Sequence, residues 1–339
     1  MIKKLSVTLV LGLVAGLPAF AWDYEGHHAV NELALAGLPA NFPAFALTPE
    51  ARTRIAYLAG EPDRWRNSPE LALKHVNGPD HYIDLEDLTA YGLTPATLPP
   101  LRYDFVAAIA NARTAHPDRF PAIDPERDTD HTRELSGFLP WTIAEQFAKL
   151  QSGFSTLNAL QSTGGTPEEI ANAQQNIVYV MGVMGHYVGD ASQPLHTTKH
   201  FNGWVGENPH GYTTRTSFHS WIDGGYFHKT GGIEVGKLAG GIHPATVLAK
   251  AGDQDGIFHT AVDFVTANNT LVEPLYQLEK DGKLSGLDAK GHEGRALLDG
   301  QLVKSGQLLA DLWFTAWQNA PEDTYLERTL HQRAAAAGK

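Results

Sequence analysis

One segment of the chain is apolar on nearly all sides of a predicted helix, and this restricts the fold more than any other feature. The segment begins with Thr166-Pro-Glu-Glu169, a capping box with proline at the first helical position. Apolar side chains then recur at helical spacing, and others fill the remaining faces, as far as Val188. A helix without a polar face has to be buried by its neighbours. The pattern therefore predicts a long central helix.

Helical patterns dominate the rest of the chain, and the period-two alternation of strands is scarce. We predict further helices over residues 26–38, 48–60, 137–160, 243–278 and 291–317. Residues 76–103 and 197–217 are rich in turn-forming residues and predict two long loops. The expected fold class is all-α, with a single helical domain over residues 22–330. A tail over residues 331–339 is expected to be disordered.

The residues at the end of the predicted central helix are of the types that bind metal ions. His186 and Asp190 are four positions apart, so they project from one face of the helix. His196 follows two residues after a proline, where the helix should stop. His219 and Asp223 repeat the His-x-x-x-Asp spacing. Nitrogen and oxygen ligands without sulfur suit zinc, and the alternative is a set of structural polar residues with protein partners.

The beginning of the chain has the pattern of a secretory signal peptide. A basic pair at positions 3–4 precedes an apolar run over residues 5–17 and the small-x-small sequence that ends at Ala21. The apolar run is too short for a membrane span. We expect cleavage between Ala21 and Trp22, and a secreted or periplasmic protein.

Charge and cysteine content narrow the function classes. The chain contains no cysteine, so packing and bound metal have to stabilise an exported fold without disulfides. Its formal net charge is −12, which is unlike a protein with a broad basic face for duplex nucleic acid. A phosphate-bearing substrate therefore needs a local source of positive charge, which bound divalent metals would supply.

Four motifs follow one another along residues 22–223. They are Trp22-x-x-x-Gly26-His27, His81-Tyr-Ile-Asp84, Gly185-His186-x-x-Gly-Asp190-x-x-Gln-Pro-Leu-His196 and Phe218-His219-x-x-x-Asp223. In type and order this set resembles the superfamily of zinc-dependent phospholipases C and single-strand-specific nucleases, to which the mung-bean-type nucleases belong. The chain departs from that pattern at residues 61–66, Glu-Pro-Asp-Arg-Trp-Arg, where the nucleases usually carry Trp-Ala-Asp-x-x-Arg. The disulfides that are frequent in these nucleases are also absent.

The resemblance implies three zinc ions in a cleft of the helical domain, bordered by the long loops. The first ion would be held by Asp63, His81, His186 and Asp190. The second would be held by the terminal amine and carbonyl of Trp22, by His27 and by Asp190, which bridges the pair. The third would be held by His196, His219 and Asp223. A terminal amine deprotonates readily enough to bind zinc, because its pKa is about 7.7–8.0. We therefore expect the uncleaved precursor to be inactive.

The resemblance also implies roles in phosphodiester hydrolysis. Zinc lowers the pKa of bound water to about 7, which makes a nucleophile available at neutral pH. The implied catalytic residues are Asp63, Arg66 and Asp190. Arg66 would stabilise the charge on the pentacoordinate phosphorus, and Arg64 is the alternative residue for this role.

Two further residues correspond to positions that contact a base in the nucleases. Tyr82 would stack on the base and Asp84 would form a hydrogen bond with it. The structural alternatives are a core position for Tyr82 and a loop cap for Asp84.

The leading functional hypothesis is a secreted zinc-dependent endonuclease that cleaves single-stranded DNA and RNA to 5′-phosphorylated products and also has 3′-nucleotidase activity. The second hypothesis is a phospholipase C that uses the same zinc ions on choline-type phospholipids. An apolar rim around the cleft would favour lipid, and stacking aromatics would favour nucleic acid. A third hypothesis, a non-catalytic periplasmic zinc-binding protein, requires metal sites that are closed by protein ligands.

Overall fold

Helices and turns make up the described part of the chain. The computed structural model describes residues 22–126 and 128–337, and among these residues it contains no strand. The predicted all-α fold class is therefore confirmed. The predicted signal peptide over residues 1–21 lies outside the described residues. None of the described helices is both long enough and apolar enough to cross a membrane.

The α-helices of the described chain differ widely in length. In order they are α1 (Tyr24–Gly37), α2 (Ala44–Leu47), α3 (Pro49–Leu58), α4 (Glu61–Arg66), α5 (Leu71–Asn77), α6 (Arg102–Ala115), α7 (Leu139–Ser162), α8 (Pro167–Ser192), α9 (Phe218–Ser220), α10 (Tyr226–Lys229), α11 (Val235–Leu238), α12 (Gly256–Asn269), α13 (Val272–Lys280), α14 (Arg295–Gln318) and α15 (Thr324–Ala337). A π-helical turn over Trp221–Gly225 connects α9 to α10. Short 3₁₀ turns over Gly78–His81 and Pro194–Thr197 complete the elements that matter for the site.

Helix α8 is the predicted central helix. The Thr166 hydroxyl accepts a hydrogen bond from the Glu169 N–H (3.2 Å), and the Glu169 carboxylate accepts one from the Thr166 N–H (2.7 Å). Helices α1, α3, α7, α12 and α14 pack around α8, and every residue from 181 to 192 is buried. Burial on all sides therefore begins at residue 181, since Tyr179 just before it is exposed, and the polar end of the helix lies in the interior.

The structure differs from the predicted long helix over residues 243–278. Residues 243–255 form an irregular segment, and two separate helices, α12 and α13, follow it. This segment lies along α14, since the Thr246 N–H donates to Asp311 (2.7 Å) and the Leu248 N–H donates to Thr315 (3.0 Å). Side chains of α14 thus accept the backbone hydrogen bonds that residues 246 and 248 would otherwise have made within a helix.

The C-terminal region also differs from the expectation of a tail without structure over residues 331–339. Helix α15 continues as far as Ala337, and residues 338–339 lie outside the described residues. The Arg333 guanidinium binds the Glu169 carboxylate (2.6 and 3.1 Å) and donates to the Gly164 carbonyl (3.0 Å). These contacts attach the last helix to the beginning of α8.

Candidate metal centre

The fold brings residues from distant parts of the chain to the buried end of α8. His186 and Asp190 lie on α8 itself, and the other imidazoles and carboxylates come from elements packed around it. The buried residues that meet there are His27, Asp63, His81, His186, Asp190, His196, His219 and Asp223. They form three groups in which the possible ligand atoms lie within 4.8 Å of one another. The groups are His27/His186/Asp190, Asp63/His81/His186 and His196/His219/Asp223.

The Asp190 carboxylate is the centre of this arrangement. One oxygen, Oδ2, lies 3.0 Å from His81 Nδ1 and 3.4 Å from His186 Nε2. The other, Oδ1, lies 3.4 Å from His27 Nε2 and 3.8 Å from His196 Nδ1. Burial raises the pKa of Asp190, but the surrounding imidazoles outweigh it and hold the pKa well below its usual value. Asp190 is therefore an anion in contact with all three groups.

Hydrogen bonds to the backbone orient two of the histidines. The ring nitrogen Nδ1 of His186 lies 2.7 Å from the Ala59 carbonyl oxygen, and Nδ1 of His196 lies 2.6 Å from the His81 carbonyl oxygen. A carbonyl oxygen can only accept, so both Nδ1 atoms carry the proton. In the neutral rings the lone pair is then on Nε2, which points into the cluster. A backbone acceptor of this kind commonly fixes the tautomer of a metal-binding histidine.

His27 fills the space between α1 and α8. Its ring stacks on that of His186, with centroids 3.7 Å apart. Helix α8 carries Gly189 at the point of contact, and a Cβ there would lie 2.9 Å from His27 Nδ1. Burial, with the neighbouring His186 ring, lowers the pKa of His27 well below its usual value. His27 is therefore a neutral ring whose lone pair is available to a metal ion.

Trp22 anchors the first described residues beside this group. Its side chain is fully buried, and the indole Nε1–H donates to the Gly189 carbonyl (2.9 Å). The next residue, Asp23, donates its N–H to the Asp223 carbonyl (3.3 Å). Trp22 thus lies next to the centre, and the use of its amine and carbonyl as zinc ligands remains a prediction.

The third group lies closest to the surface. The Nε2 atoms of His196 and His219 are 2.9 Å apart, and His219 Nε2 is 3.2 Å from Asp223 Oδ2. Gln193 Nε2–H donates to the other oxygen of Asp223 (2.6 Å). Burial raises the pKa of Asp223 well above its usual value. A cation at this position would reverse that effect by stabilising the carboxylate.

Unsatisfied buried atoms show that the donor set suits a cation. Atoms of the cluster with no hydrogen-bond partner among the described residues are His27 Nδ1 and Nε2, Asp63 Oδ1, His81 Nε2, Asp190 Oδ1 and Asp223 Oδ2. Arg66 Nη2 lies 3.1 Å from Asp63 Oδ1, although not at a hydrogen-bonding angle. Buried polar atoms normally have hydrogen-bond partners, so six buried atoms without a hydrogen bond in one place form a donor set that could hold metal ions. Imidazole and carboxylate donors in mixed groups fit divalent zinc.

A cavity of about 360 Å³ opens onto the third group. His196 and His219 line it together with Arg66, Tyr82 and Asp84. Both base-contact candidates are thus placed at the cavity and not in the core. Burial raises the pKa of Asp84 well above its usual value, and its Oδ1 has no hydrogen-bond partner among the described residues.

The two candidate arginines lie in different surroundings. Arg66 contacts the Asp63 carboxylate and lines the cavity. Arg64 pairs with Glu61 (2.7 Å), and its guanidinium lies 4.5 Å from the centre of the Tyr57 ring. Arg64 is not among the residues that line the cavity, so the geometry favours Arg66 for a role at the site.

Sequence reasoning assigned no role to several residues that support the site. Gln193, within the Gln-Pro-Leu-His motif, fixes the Asp223 carboxylate. Arg102 binds Asp80 (2.5 Å) and Thr142 (2.9 Å), and so holds the 3₁₀ turn that presents His81 against α7. The motif containing Gln193 was a signal for the first of these residues. No local pattern marks Arg102, because its partners Asp80 and Thr142 are distant in sequence.

Comparisons with known proteins add no assignment. No protein-family model matches the chain, and no curated protein matches it either.

Proposed function

We propose that the protein is a zinc-dependent nuclease of the superfamily suggested by its motifs, which hydrolyses phosphodiester bonds of single-stranded nucleic acid. One observation carries the proposal: three buried His/Asp groups surround the Asp190 carboxylate, which belongs to the first group and contacts a histidine of each of the other two. The third group lines a cavity that also contains Tyr82, Asp84 and Arg66. Shared carboxylates and an open neighbouring cavity are features of catalytic metal sites and not of closed structural sites. This argues against a purely structural zinc-binding protein.

When bound, zinc ions at the three groups would activate water for attack and neutralise phosphate charge. The chain's own residues would then position the substrate. Arg66, beside the metal groups, would donate hydrogen bonds to the phosphate, which are strong because both partners are charged. The ion pair with Asp63 would hold the guanidinium beside the phosphate.

Tyr82 and Asp84 would recognise a base in the cavity. An aromatic ring stacks on any base, which suits a substrate of mixed sequence. Burial and the nearby carboxylates of Asp87 and Glu86 raise the pKa of Asp84, so its carboxyl group keeps its proton more readily than an exposed one. A protonated Asp84 would donate a hydrogen bond to an acceptor on the base.

The first experiment uses the chain that begins at Trp22, loaded with zinc, with single-stranded DNA as substrate and a chelator control. We expect chelator-sensitive release of 5′-mononucleotides. Release of phosphocholine from lipid micelles with intact DNA would favour the phospholipase C alternative. Firm zinc binding with no hydrolysis of either substrate would leave the non-catalytic alternative.

A matched pair of variants tests the base contact. Tyr82→Ala removes the ring and should raise KM about 5- to 160-fold, because stacking contributes about 1–3 kcal/mol per base. Tyr82→Phe keeps the ring and should leave KM within about twofold of the unchanged protein. Equal KM values for the two variants would show that Tyr82 does not stack on the substrate.

A further inference from the structure

A second cavity adjoins the one at the metal centre. Asp87, Tyr91 and Arg133 line both cavities, so the two are direct neighbours. The second cavity adds three cationic residues, Arg113, Arg119 and Lys199, to the wall that already contains Arg133. We call these four residues with Tyr91 and Phe120 the basic groove.

The cations of the basic groove are unusual in a chain whose net charge is −12. Arg119, Arg133 and Lys199 are exposed to solvent. Among the described residues, Arg119 forms no salt bridge. The lining of the second cavity also contains three carboxylates, those of Glu86, Asp87 and Asp124, so its four cations leave a small excess of positive charge beside a candidate phosphodiesterase site.

Stacking holds one of the guanidinium groups in place. The Phe120 ring stacks on that of Tyr91, with centroids 5.2 Å apart and planes inclined by 21°. The Arg113 guanidinium lies 4.8 Å from the centre of the Phe120 ring. A stacked guanidinium loses less conformational freedom when it binds a phosphate, and its planar donors fit the phosphate oxygens.

Two of the acidic residues in the groove already have partners in the chain. Glu86 accepts hydrogen bonds from the Thr198 hydroxyl (2.7 Å) and from the Lys199 N–H (3.2 Å). The Lys199 ammonium lies 3.7 Å from the Asp87 carboxylate. These carboxylates are thus turned toward the 198–199 segment, and they orient Lys199 at the edge of the groove.

We infer that the basic groove binds backbone phosphates of a single strand beyond the nucleotide at the metal centre. The inference rests on the proposed function and deepens it, because it identifies the substrate as a polymer and not as a mononucleotide or a lipid. A position next to the cavity, exposed cations and aromatic side chains in the lining are together what a sequence-tolerant single-strand track requires. Each phosphate contact should add a salt-dependent contribution to affinity.

The test measures binding of fluorescent phosphorothioate oligothymidylates of 3 and 12 nucleotides by anisotropy. It uses the zinc-loaded protein, since the phosphorothioate linkage resists cleavage. The unchanged protein should bind the 12-mer at least tenfold more tightly than the 3-mer. Arg113→Ala/Arg119→Ala should lose most of this gain. In this double variant, the plot of log affinity against log salt should become less steep by about 1.4, since each phosphate contact on a single strand contributes about 0.7.

Two further variants exclude general effects. Arg54→Ala/Arg328→Ala removes two exposed arginines outside the groove and should keep the length-dependent gain. Arg119→Glu changes one exposed side chain without disturbing the aromatic stack, and it should also reduce the gain. The inference would be overturned if both groove variants kept the tighter binding of the 12-mer relative to the 3-mer. It would also be overturned if the protein bound anionic vesicles through the groove but did not bind oligonucleotides.

The outcomes separate the groove from the proposed function. Hydrolysis of DNA with no effect of the groove variants would refute the groove and leave the nuclease proposal intact. Length-dependent binding that the variants abolish, without hydrolysis by the zinc-loaded protein, would support the groove and refute the nuclease. Absence of all oligonucleotide binding would refute both.

Discussion

The Nε2 atoms of His196 and His219 lie 2.9 Å apart in the protein interior. His196 Nδ1 donates to the His81 carbonyl, so a neutral His196 directs a lone pair at His219. Asp223 Oδ2 lies 3.2 Å from His219 Nε2 and has no hydrogen-bond partner among the described residues. A metal ion bound by these three atoms would give Asp223 Oδ2 a partner that the described residues do not supply.

Metal removal should therefore destabilise the fold. Buried imidazoles and carboxylates without their cation carry an uncompensated desolvation cost. Free zinc at a hundred times its Kd should stabilise the protein by about 2.7 kcal/mol per site. Thermal unfolding with zinc and with a chelator measures the difference, and identical transition temperatures would contradict a buried metal centre.

The Asp190 carboxylate should hold two metal ions. It contacts the His27/His186 pair and also His81, so Asp190→Asn should remove two ions at once. The matched variant Asp223→Asn should remove one, because Asp223 belongs to a single group. Elemental analysis of the dialysed proteins gives the zinc content, and equal losses in the two variants would show that Asp190 does not bridge.

The contact between α1 and α8 should tolerate no side chain at Gly185. A Cβ there would lie 1.6 Å from Asn31 Oδ1, and Asn31 donates to the Ile55 carbonyl (2.8 Å) and the Gly182 carbonyl (3.0 Å). Gly185→Ala should lower the free energy of unfolding by about 1–3 kcal/mol, as overpacking does.

The control for this variant is Gly300→Ala in α14. Gly300 has open space around its Cβ position, so the same change should stabilise the helix by about 0.5–1 kcal/mol. Urea unfolding measures both variants. If Gly185→Ala does not lower the free energy of unfolding, α1 does not approach α8 as closely as the structure shows.

The ion pair that links the last helix to α8 should weaken at acidic pH. Hydrogen bonds from Arg333 lower the pKa of Glu169 from 4.5 to about 2. Because the folded-state pKa is lowered, the pair stabilises the fold fully above pH 4.5 and loses this contribution as the pH falls toward 2. Arg333→Ala should return the Glu169 pKa toward 4.5 in an NMR titration. An unchanged pKa would show that Arg333 does not bind Glu169 in solution.

Several features of helix α8 could be predicted from the sequence. Its capping box, its apolar faces and its end before Pro194 are local patterns, and the observed helix Pro167–Ser192 follows them. His186 and Asp190 share a face because of helical spacing alone. Local hydrogen bonding and periodicity are therefore enough to predict these features.

Residues 243–255 show where such reasoning fails. Their predicted helix is replaced by hydrogen bonds to Asp311 and Thr315 of α14, which are more than sixty residues away in sequence. The tail helix likewise depends on a distant partner, Glu169. Competing interactions of this kind are not visible in a local window.

The sequence by itself determined the helical class of the fold, the central helix and the residue types available for metal binding, because these follow from periodicity and donor chemistry. Only the tertiary structure decided which donors meet. It placed Asp190 within 3.0–3.8 Å of four imidazoles, Arg66 rather than Arg64 beside the cavity, and the basic groove next to it. The physical reason is that packing joins residues more than a hundred positions apart, and no local pattern records these distances.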